Sequence, residues 1–193
     1  QPRSRGLGDV YKRQVTGRWY HLALVRSAST VTRYINGIAD ATTVTIGTAI
    51  AATDKHQIGG APIAGSGRYW KGVISNLRVL NYAAYTTNFT PPNGPLTAIS
   101  GTKLLTCQDS TFKDNSSNNF TISAFGNARP VTSPTPFPAN EDKTSYKAAY
   151  NPLIHGGSAY FDGTGDYLSV PNNSALKPGT CLLYTSPSPR DRG

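Results

Sequence analysis

The stretch Trp19-Tyr20-His21-Leu22-Ala23-Leu24-Val25-Arg26 decides the fold class of this chain. Its apolar residues recur with the period of two that a half-buried β-strand shows. A second β-type run, Thr30 to Ile35, follows, and Asn36-Gly37 comes directly after it. Asn-Gly is the strongest short-range hairpin signal, because both central residues of a type I′ turn need positive φ. We therefore predict a hairpin with a returning strand over Ala41 to Ile46.

The chain continues with short β-type runs between turn signals, and it contains no methionine. This pattern is typical of an all-β sandwich. We expect Tyr69–Leu80 to form one or two strands, with Gly72 as a candidate bulge. Further strands are predicted at Lys55–Ile58, Lys103–Cys107 and Phe120–Phe125, and Asn81–Pro95 is predicted to be an irregular loop.

Two later segments carry their own turn signals. Ser158–Asp162 and Asp166–Val170 flank Gly163-Thr164-Gly165, which predicts a hairpin. Pro130 to Asp142 contains four prolines. A proline-rich composition favours an extended backbone, so this segment is predicted to be loose.

Both ends of the chain read as translations of one sequencing-adapter oligonucleotide. Ser4–Gln14 corresponds to one strand of that oligonucleotide, and Cys181–Asp191 corresponds to its reverse complement. We therefore expect residues 1–14 and 181–193 to be adapter-derived, and residues 15–180 to be a natural fragment truncated on both sides. Removal of both ends is expected to leave the solubility and melting temperature unchanged or improved.

Charge and cysteine usage exclude several classes of protein. The formal charge is +9, and it falls to +5 without the six basic and two acidic residues of the suspected adapter ends. The remaining basic residues are scattered and form no run, so a nucleic-acid partner is not expected. No stretch approaches the roughly 20 apolar residues of a membrane span. One cysteine, Cys107, remains between the ends, so no disulfide framework is inferred.

Several segments carry a family resemblance. One group resembles the second half of a laminin-G-like (concanavalin A-like) jelly roll, and it comprises Trp19–Arg26, Tyr34-Ile35-Asn36-Gly37, Ile58-Gly59-Gly60 and Gly72–Val79. A second group resembles the first half of the next copy, and it comprises Lys103-Leu104-Leu105, Asp114–Asn118 and Ser158–Leu168. Such tandem copies resemble those of phage and bacterial surface or fibre proteins, including many from marine metagenomes.

The resemblance implies an antiparallel β-sandwich, the jelly roll, and a division into half-repeats. Residues 15–97 would be the C-terminal half of one repeat, and residues 98–180 the N-terminal half of the next, with a loose Pro-rich segment at 130–157. Each half has apolar strand faces that need a partner sheet. Either the halves dock as one circularly permuted sandwich, which we favour, or both stay half-built with exposed edges.

The same broad fold hosts glucanases, which need two carboxylates flanking the scissile bond. The chain has a single glutamate, Glu141, in the Pro-rich segment. Asp162 and Asp166 are separated by a turn, so we expect them to accept hydrogen bonds from local backbone N–H groups. None of the three histidines shows metal-ligand spacing. The sequence therefore predicts a protein that is not an enzyme.

Calcium is the one ion that the resemblance suggests, because similar domains hold Ca²⁺ at a loop rim. Asp114, Asn115 and Asn118 bring oxygen-bearing side chains into a short polar turn. Calcium takes six to eight hard oxygen ligands, so these residues are the candidate ligands. A plain Asx-rich turn without an ion is the alternative.

Aromatic side chains beside polar groups are the candidates for sugar binding. Arg68, Tyr69 and Trp70 follow a Gly-rich loop, and Tyr82 and Tyr85 lie in the next loop. Core packing is the alternative role for Trp70, and it is the role that we expect for Trp19.

The function predicted from these residues and this resemblance is noncatalytic. It is carbohydrate recognition or adhesion by a virion fibre, such as a phage tail fibre, or by a cell-surface protein. The expected partners are a glycan or cell-surface polysaccharide and neighbouring repeats, and the expected location is extracellular, at a cell surface or on a virion. A structural spacer in a fibre and an accessory domain of a carbohydrate-active enzyme are the alternatives.

Overall fold

The computed structural model describes residues 19–46, 56–63, 66–132, 136, 157–176 and 181–187, without the side chains of 61–67 and 181–187. The strands are β1 His21–Ser27, β2 Thr30–Ile35, β3 Ile38–Ala39, β4 Val44–Thr45, β5 His56–Ile58, β6 Gly60–Ile63, β7 Ser66–Tyr69, β8 Lys71–Ile74, β9 Leu77–Leu80, β10 Thr102–Thr106, β11 Ser123–Phe125, β12 Arg129–Val131, β13 Ser158–Asp162, β14 Tyr167–Val170 and β15 Cys181–Pro187. A 3-10 turn covers Ser174–Leu176. Among these residues no helix is long and apolar enough to cross a membrane.

All strand pairs in the described residues are antiparallel. The large sheet has the order β10-β9-β15-β1-β2-β3, with β4 also paired to β2. Two small sheets have the orders β11-β14-β5 and β12-β13-β8, and β6 and β7 form a separate hairpin. The chain is therefore an all-β protein, as the sequence predicts.

The main core lies between the large sheet and the two small sheets. The large sheet contributes Leu77, Val79 and Leu104 to it. The small sheets contribute six buried apolar residues, namely Ile58, Ile74, Ala159, Phe161, Leu168 and Val170. Burial of these apolar side chains between facing sheets is what stabilises a β-sandwich.

A second core covers the other face of the large sheet. Val79 and Leu80 are neighbours in β9, so their side chains point to opposite faces, and Leu80 belongs to this second core with Ala23, Val25 and Tyr34. The loop after β9 covers it with four partly buried residues, namely Ala83, Ala84, Tyr85 and Phe89. The predicted irregular loop over Asn81–Pro95 thus packs on the sheet.

The predicted hairpin at Asn36-Gly37 is confirmed. Asn36 and Gly37 have φ angles of 50° and 79°, and Ile35 pairs with Ile38 directly across the turn. The returning strand differs from the prediction over Ala41–Ile46, because it starts at Ile38 and is broken into β3 and β4. Asp40 interrupts it: its carboxylate forms an ion pair with Arg33 and accepts a hydrogen bond from the N–H of Thr42 at 3.3 Å.

Two other local predictions are wrong. Ser158–Asp162 and Asp166–Val170 do not form a hairpin, because β13 pairs with β12 and β8 while β14 pairs with β11 and β5. The turn at Gly163-Thr164-Gly165 instead carries the chain from one small sheet to the other. Gly72 is not a bulge, since the register between β13 and β8 runs unbroken past it.

Strands from the two predicted half-repeats pair with one another in three places. β9 pairs with β10, β8 pairs with β13, and β5 pairs with β14. This pairing agrees with the docked alternative and not with two half-built sheets, while the origin of the halves in two repeats stays a prediction. Pro130 and Val131 were expected in the loose segment but lie in β12, and residues 137–156 lie outside the described residues.

The segment over residues 181–187 has a position that the adapter interpretation did not anticipate. As β15 it lies between β1 and β9 and pairs with both. The structure therefore gives these residues a place inside the large sheet, whatever their coding origin. Residues 1–14 and 188–193 lie outside the described residues.

Candidate functional site

A pocket of about 300 Å³ lies at the junction of β5–β6 with β7–β8. Its lining comprises Gly59, Gly60, Arg68, Tyr69, Trp70 and Ile74. Three of these residues, Arg68, Tyr69 and Trp70, are predicted site residues. The volume lies at the lower end of the range for pockets that hold small ligands.

The local backbone explains why these residues converge. Gly60 pairs with Tyr69 in the β6–β7 hairpin, and the N–H of Trp70 donates to the carbonyl of Gly59 at 2.7 Å. Gly59 has a φ of 83°, and a Cβ at this position would lie 2.4 Å from the ring of Phe161. A residue without a side chain is therefore required where the backbone turns over the core.

Trp70 joins the pocket to the core. Its ring is partly buried and packs against the main core. Its Nε1–H is buried without a hydrogen-bond partner among the described residues, and the residue lines the pocket. The two roles weighed from sequence, packing and binding, are thus compatible in one side chain. A buried indole N–H that lacks an acceptor has a free-energy cost.

The two residues before Trp70 are open to solvent. Tyr69 is 38% exposed, and Arg68 is also exposed. Arg68 supplies up to five N–H donors on a planar group, and Tyr69 supplies an aromatic face. The lining thus combines an aromatic platform with hydrogen-bond donors.

A stacked aromatic pair borders this pocket, and the sequence analysis did not include it. The rings of Phe125 and Tyr167 stack with centroids 4.6 Å apart, and Phe125 is 38% exposed. A Cβ on Gly60 would lie 2.8 Å from the Cβ of Tyr167, so this residue abuts the pocket lining. The pair forms only when β11 lies beside β14, a pairing between strands distant in sequence. A local motif therefore could not reveal it.

Tyr82 and Tyr85, also predicted site residues, are not part of this pocket. Tyr85 stacks on Phe89 with ring centroids 3.5 Å apart and contacts Arg78 by a hydrogen bond. Burial raises the pKa of Tyr85 and lowers that of Arg78. Tyr82 is 41% exposed. Tyr85 thus packs in the second core, while Tyr82 lies on the surface beside Gly101, near Arg78 and Tyr85.

His21, in the first strand, is a packing residue. His21 lies edge-on to Phe89 with ring centroids 5.5 Å apart, and its ring nitrogens find no hydrogen-bond partner among the described residues. Burial, with a contribution from the charge of Arg78, lowers the pKa of His21 to about 4. The imidazole is therefore neutral at pH 7.

The predicted calcium turn is held by hydrogen bonds. Oδ1 of Asp114 accepts from the N–H groups of Leu105 at 3.0 Å and Ser116 at 2.9 Å. Oδ2 accepts from the hydroxyl of Ser116 and the N–H of Phe120, both at 2.9 Å. These four donors occupy the carboxylate, which is the arrangement of the Asx-rich alternative.

The two asparagines of the same turn also make protein contacts. Nδ2 of Asn115 donates to the Asp109 carboxylate at 2.7 Å, and Nδ2 of Asn118 donates to the carbonyl of Lys103 at 2.9 Å. The described residues contain no group of three or more His, Cys, Asp or Glu side chains suited to a metal ion. The assignment of calcium to Asp114, Asn115 and Asn118 stays a prediction.

The acid pair Asp162 and Asp166 has the structural role predicted for it. Asp166 is fully buried, and its carboxylate accepts from the N–H groups of Asn127 at 2.5 Å and Asp162 at 2.6 Å. The Asp162 carboxylate accepts from Nδ2 of Asn127 at 2.9 Å and from the N–H of Thr164 at 2.7 Å. The hydrogen bond from Asn127, above all, lowers the pKa of Asp162. Through Asn127, both carboxylates connect the turn at Gly163-Thr164-Gly165 to the turn before β12 by hydrogen bonds.

Cys107 and Glu141 are the remaining residues that the sequence analysis considered. Cys107 is a buried free thiol, and burial raises its pKa to about 12, so it is an inert core residue. Glu141, the single glutamate, lies outside the described residues.

Comparison with protein families agrees with this architecture. Residues 9–87 match the model of the concanavalin A-like lectin/glucanases superfamily, a laminin-G-type family. The comparison with curated proteins gives no match, and neither does the comparison with solved structures. The matched range contains Gly59, Gly60, Arg68, Tyr69, Trp70 and Ile74, so the whole pocket lining lies in it.

Proposed function

We propose that this chain is a noncatalytic carbohydrate-recognition module, and that the pocket around Trp70 is its sugar site. The observation that carries the proposal is Trp70, which lines a pocket of about 300 Å³ together with the exposed Arg68 and Tyr69. The match of residues 9–87 to the lectin/glucanase superfamily model supports carbohydrate binding as the general class of function. The extracellular face of a cell or a virion is the setting that this function suits.

The chemistry of the lining suits a polyol. Tyr69 and Trp70 offer apolar ring surface to the C–H face of a pyranose, while the guanidinium of Arg68 offers donors to its hydroxyl oxygens. The exposed stack of Phe125 and Tyr167 extends the aromatic surface beyond Gly60. A longer glycan chain is therefore a better ligand than a single sugar.

Binding without catalysis fits the disposition of the acids. Asp114, Asp162 and Asp166 each accept hydrogen bonds from backbone N–H groups. None of these three residues lines the pocket. A structural spacer would be favoured if both tryptophans were buried and no groove were present. Trp70 instead lines a pocket, which favours a binding module.

A glycan array tests the proposal directly. The protein is expected to bind a subset of oligosaccharides, and Tyr69→Ala is expected to weaken binding about tenfold, since aromatic contacts contribute on the order of 1 kcal/mol. Tyr82→Ala is the matched control, because Tyr82 is equally exposed but lies outside the pocket. Equal losses in both variants would contradict the assignment of the site.

A further inference from the structure

The chain contains two Asn-Gly pairs, and they lie in different surroundings. Asn36-Gly37 forms the turn between β2 and β3, and Asn93-Gly94 lies in the loop between β9 and β10. Asparagine deamidates most readily when glycine follows it, because glycine has no Cβ to shield its backbone nitrogen from the preceding side-chain amide. Each pair is therefore a candidate site of spontaneous covalent modification.

The first pair is held by hydrogen bonds. The N–H of Asn36 donates to the carbonyl of His21 at 2.8 Å, and Oδ1 of Asn36 accepts from the N–H of His21 at 2.9 Å. Gly37 is buried, and its carbonyl accepts from the N–H of Phe89 at 2.9 Å. These contacts fix the side-chain amide of Asn36 and the backbone of Gly37, so a reaction between them requires that the turn first comes apart.

The second pair has no such restraint. Asn93 is exposed, and neither Asn93 nor Gly94 makes a hydrogen bond to any residue that the structure describes. A Cβ at Gly94 would meet nothing within 4 Å, so the space around this glycine is open. The side-chain amide of Asn93 can therefore turn towards the backbone nitrogen of Gly94 without the loss of a hydrogen bond.

The chain is anchored on both sides of Asn93-Gly94. Before the pair, Phe89 stacks on Tyr85 with ring centroids 3.5 Å apart. After the pair, Leu96 is buried, and its N–H donates to Oδ1 of Asn76 at 2.8 Å. The pair thus lies in an exposed loop tip between two fixed points, which is where a backbone can change its conformation while the sheets stay in place.

We propose that the fold directs spontaneous deamidation to Asn93 and protects Asn36. The backbone nitrogen of Gly94 attacks the side-chain carbonyl carbon of Asn93, a C–N bond forms, and the side-chain nitrogen leaves as ammonia with the proton of the backbone amide. Water then opens the cyclic succinimide, which leaves aspartate or isoaspartate at position 93. Either product adds a negative charge to the loop, and isoaspartate also lengthens the backbone before Leu96.

Incubation of the full chain at mildly alkaline pH, which favours removal of the backbone proton, tests the proposal. Peptide mass spectrometry should show deamidation at Asn93 several-fold faster than at Asn36. Gly94→Ala should slow the reaction at position 93, because the methyl group shields the backbone nitrogen while the open space accommodates it. Equal rates at the two positions, or an unchanged Asn93, would overturn the proposal.

The same incubation in urea separates the effect of the fold from that of the local sequence. Unfolding removes the hydrogen bonds of Asn36, so both pairs are expected to deamidate at similar rates in urea. A preference for Asn93 that persists in urea would show that the local sequence sets it, and this result would also overturn the proposal. None of these outcomes depends on sugar binding.

Discussion

At the scale of single residues, the site depends on a glycine that no side chain can replace. Gly59 combines a positive φ with direct contact to Phe161 of the main core, and its carbonyl holds the N–H of Trp70. Gly59 was part of the sequence motif Ile58-Gly59-Gly60, but the motif does not explain why a glycine is needed there. The structure shows that the Phe161 ring leaves no room for a side chain. The partner lies on β13, and a local pattern contains no information about it.

Gly59→Ala is expected to destabilise the fold by at least ~2 kcal/mol, because it adds backbone strain and forces its new methyl group onto the Phe161 ring. Gly94→Ala is the matched control, since a Cβ at Gly94 would meet nothing within 4 Å. Urea denaturation of the two variants measures the difference. Equal midpoints would contradict the packing described for Gly59.

The His21 imidazole makes stability depend on pH. Its pKa is about 4 in the folded protein and 6.5 in the unfolded chain, so the unfolded state binds more protons between these values. The contribution is therefore fully present above pH 6.5 and is lost as the pH falls towards 4. We expect a loss on the order of 2 kcal/mol over this window. Chemical denaturation across pH measures it, and His21→Phe should reduce the slope; an unchanged slope would count against a buried neutral His21.

Of the two acids Asp109 and Asp114, Asp114 should contribute more to the stability of the fold. Asp114→Ala strips acceptors from the buried N–H of Leu105 and from two further backbone donors, and we expect a cost of at least about 3 kcal/mol. Asp109→Ala, which removes an acceptor of Asn115 alone among the contacts described, should cost much less. Thermal unfolding compares the two. A calcium-induced rise in melting temperature that Asp114→Ala abolishes would support the metal interpretation of this turn.

At the scale of strands and turns, local patterns predict local pairings and fail at long-range ones. The β1–β2 hairpin follows from Asn36-Gly37 alone, because turn and partner lie within a few residues. Gly163-Thr164-Gly165 looks equally like a hairpin turn, yet β13 and β14 enter different sheets. The buried Asp166 carboxylate accepts a hydrogen bond from the distant N–H of Asn127, a contact that no local pattern reveals. Turn composition shows where the chain reverses, and not which strands it joins.

A proline substitution in β15 tests whether the backbone hydrogen bonds of this strand stabilise the large sheet. Thr185 lies opposite Ala23 on one side and Arg78 on the other. Thr185→Pro removes a backbone donor from a central strand and is expected to cost about 3 kcal/mol or more. Thr185→Val keeps the N–H and serves as the control in the same thermal melt. If both variants melt like the parent, the strand has no part in the stability of the sheet.

This prediction reverses the expectation that residues 181–193 are dispensable. A strand from any source stabilises a sheet when its backbone fits, so the stability test is separate from the question of coding origin. That origin stays a prediction from the adapter match, and sequencing of the parent DNA across both junctions decides it.

At the scale of the whole molecule, alternation and turn signals were sufficient for the fold class, and the family match over residues 9–87 agrees with it. The sequence also placed Arg68, Tyr69 and Trp70 together, since they are adjacent in the chain. It did not separate them from Tyr82 and Tyr85, because the distinction depends on the second core, where Tyr85 stacks on Phe89. The Phe125–Tyr167 pair was missed for the same reason, since it exists only in the assembled sheet.

The central claim is that Trp70 contacts sugar, and its own fluorescence tests this most directly. The chain has two tryptophans, so Trp19→Phe leaves Trp70 as the single indole. Titration of this variant with the oligosaccharides selected on the array should change the Trp70 emission saturably, and Arg68→Ala should weaken the response. Emission that stays constant while the same oligosaccharides bind would place the sugar elsewhere and contradict the account.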